Sequence, residues 1–264
     1  MNIVVCVKQV PDTWSEKKLA ASDSTLDRAA TDPVMNEMDE YAVEEALKLQ
    51  EAHGGEVTIL CMGPDAATET VRKALSMGAD KAIHVLDDGL HGSDALATSL
   101  ALAKAIEKAG GFDLVLLGSE SSDARMSVVP AMLAERLGLP QLTFAKEVTI
   151  NTGDGATKIS IKRLTDDGYL VVEASTPAVV SVVEKINEPR YPSFKGIMAA
   201  KKKPVQTVTV ADLGLDAGSV GLASATSEVV EMTPRPPRQA GQIVKDEGDG
   251  GVKIAEFLAA QKLL

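Results

Sequence analysis

The chain has 264 residues, a formal net charge of −11, 45% hydrophobic and 25% charged residues, and only 3% aromatics. That length allows one sizeable core, or a main domain with a smaller appendage, built largely from Val, Leu, Ile and Ala. The acidic balance argues against nucleic acid as main partner, and the dispersed histidines and cysteines have no zinc or iron–sulfur spacing. No apolar run approaches the ~20 residues of a membrane span, so no membrane insertion is expected.

The N-terminal "MNIVVCVKQVP" is short for a signal peptide and lacks a small-residue cleavage site, so a cytoplasmic, reducing location is expected. Its apolar run 2–10 reads as a strand buried on both faces, and 56–63, 81–86 and 113–118 repeat that character. Cys6 and Cys61 lie inside two of these runs and read as small core hydrophobes. Helices alternate with the strands. Val43, Ala46 and Leu47 share a face closed by Gly54, and Val71, Ala74 and Leu75 share one closed by Gly78, with Asp65 as its expected N-cap. Leu96, Leu100 and Ala103 stripe a third helix ending at "AGG", and "SVVPAMLAERLG" forms a fourth, with Pro130 tolerated in its first turn. Such alternation predicts an α/β fold with a parallel, Rossmann-like sheet and right-handed crossovers.

Two stretches depart from it. The polar insert 15–37 predicts a loop or short hairpin over the strand ends. Residues 143–183 switch to period two, with turns at "TGDG" and "DDG", and predict a β extension of the same domain. Beyond 204 the composition becomes that of a linker, which sets an expected boundary between residues 1–204 and a C-terminal arm, 205–264. The arm ends in an apolar-faced helix carrying Ile254, Phe257 and Leu258, which either wraps a partner subunit or docks on its own domain.

For chemistry, the strand-to-helix loop "GSESSDARMS" (118–127) is the leading ligand candidate. It would follow a strand's carboxyl end, where open α/β sheets bind ligands, and hydroxyls and free helix N–H groups can hold a phosphate. It is neither a P-loop nor G-x-G-x-x-G. The residues support equally a solvent-exposed turn with Ser127 as helix N-cap. The ends of the strands at Cys6 and Met62 and the segment around residues 34–46 point to the same rim, with core packing and an acid-rich helix start as the plain reading. No nucleophile–base pair or group-transfer motif stands out, so the chain reads as a binder. From Lys185 to Lys203 six basic residues meet one acid, Glu188, around Phe194. An aromatic among basic neighbours, stiffened by Pro189 and Pro192, suits a docking anchor. Lys201 to Lys203 would then steer acidic partners. A solvated turn before a short helix is the alternative.

The stretch "VEKINEPRYPSFKGIMAAKKK" resembles the signature of the electron transfer flavoprotein β-subunit family. "MNIVVCVKQVPDTW", "DEYAVEEALKL", "ALSMGADKAIHV" and "DLVLLGSESSD" are similar to the same family, in the expected order. The resemblance implies an adenine nucleotide α-hydrolase-like fold and a heterodimer with an α subunit that holds a redox-active FAD. It implies a structural AMP in the β subunit, electrons arriving from acyl-CoA and related dehydrogenases, and a membrane quinone oxidoreductase as acceptor. Carried onto this chain, the AMP contacts fall on Cys6, on Asn36, Glu37, Met38 and Asp39, and on Met62. They continue along the loop through Gly118, Ser119, Glu120, Ser121, Ser122, Asp123, Ala124, Arg125, Met126, Ser127, Val128 and Val129. Asp123 is expected to order the turn by accepting backbone N–H groups. Many members carry glycines after that aspartate, whereas here residues 124–127 contain none, which restricts positive φ, and Arg125 is a candidate to compensate. The resemblance assigns dehydrogenase docking to Pro192, Phe194, Lys195, Ile197 and Met198, and brings Trp14 toward the flavin edge. Two alternatives stay open, an electron-bifurcating type with a second FAD in the AMP pocket and a stand-alone adenine-nucleotide binder.

Overall fold

Strands without polar alternation need both faces covered, and helices cover both faces here. The computed structural model describes every residue except 154, 155, 234, 235, 238–240, 242 and 264. The turn expected at "TGDG" and part of the expected linker therefore lie outside the described residues.

The first strand, β1 (Ile3–Val7), is wholly buried but does not run on to Val10 as expected. At Lys8 the backbone N–H donates to the Asp39 carboxylate, 2.7 Å away. Beyond it β2 (Gln9–Pro11) turns off to pair antiparallel with β3 (Pro33–Met35). The insert between them closes through a Leu19–Leu26 bridge and a single 3-10 turn at Arg28–Ala30, the hairpin-like excursion expected. Then come α1 (Glu37–His53), ended by Gly54 at φ 70°, and β4 (Val57–Met62). A 3-10 turn at Asp65–Ala67 leads into α2 (Thr68–Met77), so Asp65 is not its N-cap; that position belongs to Ala67, without a side-chain cap. Next are β5 (Lys81–Val85) and α3 (Ala95–Ala109), capped by Asp94. The buried face of α3 runs through Ala97, Ala101, Leu102 and Ile106 and keeps Ala103 of the expected stripe, but leaves Leu100 half-buried and Leu96 exposed.

After β6 (Leu114–Gly118) and α4 (Val129–Leu137) come β7 (Gln141–Gly153), β8 (Ala156–Thr165) and β9 (Gly168–Ser175), the expected β extension. The chain returns to the sheet in β10 (Ala178–Val182) and continues through α5 (Phe194–Ala200) to β11 (Val205–Val208). Among the described residues the main sheet has the order β11-β5-β4-β1-β6-β10-β7-β8-β9. Its pairs are parallel from β11 to β7 and antiparallel over β7–β8–β9. One core face packs Ile3, Val5 and Ile59 against α1 and α2; the other packs Val4, Leu60 and Val115 against α3 and α4. Cys61 belongs to the first and Cys6 to the second, both buried as expected.

Packing continues past the boundary expected at 204/205. Strand β11 pairs with β5, and Val208, Val210, Leu213 and Val220 are buried. The polar composition there reflects an edge strand and short turns with one covered face. Contacts group the chain into Met1–Glu228 and Val229–Leu264. Within the second unit α6 (Gly250–Ala260) carries exposed Val252, Ile254 and Phe257.

The three lysines of 201–203 divide. Lys201 and Lys202 are exposed, but the Lys203 Nζ donates to the carbonyls of Leu75, Gly78 and Ala79 at 3.0, 3.0 and 2.6 Å. It satisfies the open carbonyl end of α2, and burial holds its amine below the usual value. Lys203 is therefore a structural cap and not the steering charge expected. Lys203→Met should cost about 2 kcal/mol of stability, the scale of charge-assisted hydrogen bonds, with Lys201→Met close to neutral. Urea unfolding of both variants checks this, and equal midpoints would contradict it.

Candidate functional site at the carboxyl ends of β1 and β6

From β1 the chain builds outward through β4 and β5 on one side, and then through β6 and β10 on the other. The strand order thus reverses between β1 and β6, the kind of switch point at whose carboxyl ends open α/β sheets form a ligand crevice. Three segments meet there: Lys8 after β1, the first turn of α1, and the loop after β6.

Asp39, in that first turn, is buried. Its Oδ2 accepts the Lys8 backbone N–H at 2.7 Å, and its Oδ1 accepts the Asn36 amide at 3.0 Å and the Gly118 N–H at 3.3 Å. Burial pushes its carboxyl up from 3.8 to about 7, against the opposing pull of these donors. Asn36 occupies the N-cap position of α1 but does not cap it. Its side chain reaches across instead, donating to the Glu120 carbonyl at 2.9 Å and accepting the Ser122 N–H at 3.0 Å. Gly118 has no room for a side chain, since a Cβ would lie 2.5 Å from the Met38 Cβ and 2.6 Å from Asp39 Oδ1.

Asp123 is buried in the same loop and receives two cations, Lys8 Nζ at 2.8 Å and Arg28 Nη2 at 3.0 Å. Lys8 Nζ also reaches the Ser121 hydroxyl at 3.3 Å. Burial raises the Asp123 carboxyl, but the Lys8 charge and hydrogen bond, with help from Ser121 and Arg28, hold it below its usual range. Asp123 thus anchors the loop through cations and not through backbone N–H groups, a role that falls to Asn36. Lys8 and Arg28 are the residues that sequence reasoning missed. Lys8, the one charge inside the first apolar run, was a signal, while nothing in the insert marked Arg28.

The rest of the loop rises from this base. Arg125 and Ser127 adopt positive φ, 49° and 55°, without being glycine, a strained conformation typical of functional loops. Arg125 is exposed, with Nη1 3.8 Å from Glu120, so its contact lies within the loop. Ser127 is not the N-cap of α4, a position held by Val128; its hydroxyl donates to Glu120 at 3.3 Å. Among the described residues no acceptor meets the N–H groups of Ala124, Met126, Ser127 or Val128, and the buried Ser122 hydroxyl has no partner. Ser119 is buried, and its N–H donates to Val182. Glu37 is exposed at the start of α1, and Val129 is the first residue of α4.

Cys6 and Met62 join one apolar cluster beneath this rim. Burial raises both cysteine thiols, Asp39 adding to it, with Cys61 at about 12 and Cys6 higher still. Trp14 is 95% exposed at the start of the excursion. The residues expected to dock a partner lie elsewhere, on α5 and the turn before it, where Phe194 is 80% exposed beside exposed Lys195, Ile197 and Met198, with Pro192 half-buried. Among the described residues no cluster of His, Cys, Asp or Glu can hold a metal, and no helix is long and apolar enough to cross a membrane.

A buried carboxyl that titrates near 7 couples folding to pH. The folded state holds its proton between about 4 and 7 while the unfolded chain has lost it, so stability from this group falls as pH rises through that window. Asp39→Asn should remove that slope while lowering stability at every pH, because its amide sets a donor against the Lys8 N–H. Urea unfolding at pH 5 and pH 7.5 tests it, and an unchanged pH slope in the variant would rule Asp39 out as its source.

Comparison with known proteins matches residues 23–213 to the electron transfer flavoprotein domain. The chain is 54% identical to the electron transfer flavoprotein subunit beta of Mycobacterium leprae (strain TN), over 100% of this chain and 99% of that protein. It is 37% identical to the subunit of the same name from Megasphaera elsdenii, over the whole of both chains. It is 35% identical to the caffeyl-CoA reductase-Etf complex subunit CarD of Acetobacterium woodii, over 92% of each. The chain therefore belongs to the electron transfer flavoprotein family, as a subunit of the beta type.

Proposed function

We propose that this chain is the β half of a heterodimeric electron carrier, binds a structural AMP at the crevice between β1 and β6, and presents α5 to electron-donating dehydrogenases. The observation that carries the nucleotide reading is the convergence of Lys8, Arg28, Asn36 and the 118–129 loop on one crevice, with loop N–H groups and the Ser122 hydroxyl unpaired. These residues fit AMP. The N–H groups of residues 126–128 and the start of α4 suit a phosphate, and Lys8 and Arg28 place positive charge behind it. Met62 and Cys6 form an apolar floor suited to a base. FAD, held mainly by the α subunit, supplies the electron chemistry of the complex. Donors would be acyl-CoA and related dehydrogenases, and a membrane quinone oxidoreductase the acceptor.

This chain's part is to bind and orient. Exposed Trp14 lies on the excursion that Arg28 ties to Asp123, which suits a ring held toward the flavin edge. The apolar side chains of α5 with Lys195, Lys201 and Lys202 suit a partner that offers an apolar pocket rimmed by carboxylates.

Removing the cation anchor should empty the crevice. Asp123→Asn leaves Lys8 and Arg28 without their shared carboxylate and should release AMP from the purified heterodimer. Stability should fall by the lost linkage, about 2.7 kcal/mol where free AMP is 100 times its dissociation constant, and the melting temperature should fall with it. Nucleotide content by chromatography after denaturation decides it: unchanged AMP and an unchanged melting point contradict the assignment, and FAD in place of AMP at that site would favour the bifurcating type. Phe194→Ala should raise the donor concentration needed for half-maximal flavin reduction about thirtyfold. Flavin content and thermal stability should stay as in the wild type. Reduction as ready as wild type would reduce α5 to a turn.

A further inference from the structure

We infer that Arg190 is a positioning residue for partner docking, setting the direction in which Phe194 and Tyr191 are presented; this rests on the docking reading of α5. A helix of seven residues does not persist by itself, so its orientation comes from what clamps it. On its carboxyl side Arg72 Nη1 donates to the carbonyls of Ala200 and Lys203 at 2.7 and 3.0 Å, and Gly196 lies so close to α2 that a Cβ would sit 2.5 Å from the Ser76 carbonyl oxygen.

On the amino side the clamp is Arg190. Its Nε and Nη2 meet Glu44 at 2.7 and 3.0 Å, and its Nη1 and Nη2 meet Glu51 at 2.6 and 3.3 Å. Its backbone N–H adds a bond to the same Glu44, at 3.1 Å. Both carboxylates project from α1, seven residues apart and hence on one face. The fork geometry of guanidinium against two carboxylates fixes direction as well as distance. Glu44 is buried while Glu51 is largely exposed, so the inner pair holds in a drier setting than the outer. Hydrogen bonds to Glu44 and then Glu51 raise the Arg190 guanidinium further above its ordinary value, and the bond to Arg190 lowers Glu51.

Between this clamp and Phe194 stand three residues, one of them Pro192, and Pro189 precedes it. The φ restriction of both prolines carries the orientation set at Arg190 into the first turn of α5. Tyr191, 96% exposed, is directly bonded to the clamped residue. Arg190, one of the six basic residues between Lys185 and Lys203, thus spends its charge inside the fold.

The test uses the intact FAD-containing heterodimer and an acyl-CoA dehydrogenase supplied with its acyl-CoA, comparing wild type, Arg190→Gln, Phe194→Ala and the double variant. Arg190→Gln should raise the half-saturating dehydrogenase concentration about tenfold with kcat within about twofold. In the Phe194→Ala background it should add almost nothing, because the side chain it aims is gone. Arg190→Lys should not rescue, since an ammonium cannot meet two carboxylates as a fork. If Arg190→Gln does not fold, Glu51→Gln removes only the outer pair and should give a smaller rise, about threefold, in the same direction. A rise for Phe194→Ala with none for Arg190→Gln or Glu51→Gln, or effects that multiply in the double variant, would overturn the positioning role and leave the docking reading intact. No rise for Phe194→Ala itself would overturn the docking reading, and this inference with it.

Discussion

Asp39 sits out of water between a strand end, a helix start and a loop, and the position of each depends on what its carboxylate accepts. Lys8 leaves the sheet because its N–H is turned to Asp39, Gly118 approaches without a side chain for the same reason, and Asn36 is diverted from capping its own helix. A single buried acceptor thereby fixes the geometry of the crevice before any ligand arrives. The energetic arrangement is asymmetric: desolvating a carboxylate is costly, and leaving its donors unpaired would cost more. Such a group is hard to substitute, because an isostere reverses one donor or acceptor and a hydrophobe orphans several N–H groups.

Helix α1 carries this order to a second place. Its first turn holds the crevice, and its face around Glu44 and Glu51 holds the residues before α5. Asn187 strengthens the link, donating to the Tyr41 carbonyl and to Glu45, each at 3.0 Å. From Asp39 to Glu51 a helix rises roughly 18 Å. The candidate ligand site and the proposed docking face are thus mounted on one helix, while α2 supplies the second support for α5.

Much of the fold was legible because it rests on local patterns. The buried strands, the glycine-ended helices and the period-two extension were each written in runs of a few residues, and the structure follows them. What escaped depends on contacts distant in sequence. The apolar run 2–10 does not disclose that Lys8 surrenders its hydrogen bond to Asp39. Nothing local shows that Lys203 folds back on α2 while its two neighbours face water, or that Arg28 meets Asp123 across ninety-five positions. Composition misled at the 204/205 boundary, since an edge strand with one covered face looks as polar as a linker. Of the stripe expected on α3, Ala103 is buried while Leu96 is exposed, because Ala97, Ala101 and Leu102 share the packed face with it. The crevice itself was half legible: its segments were read from the strand ends and again from the resemblance, but the hydrogen bonds that join them follow from topology.

The chain has a single tryptophan, and it lies outside the core. Trp14 is already surrounded by water in the folded chain, so unfolding changes its surroundings little and its emission is a poor reporter of stability. The aromatic-poor interior likewise leaves few rings in an asymmetric environment to give a near-ultraviolet circular dichroism signal. The same exposure makes the indole a sensitive gauge of association. Any surface that covers the excursion between β2 and β3 would shift its emission to shorter wavelength, and a flavin brought within a few ångströms would quench it. The molecule thus carries an optical probe that is silent about its own folding and responsive to its company.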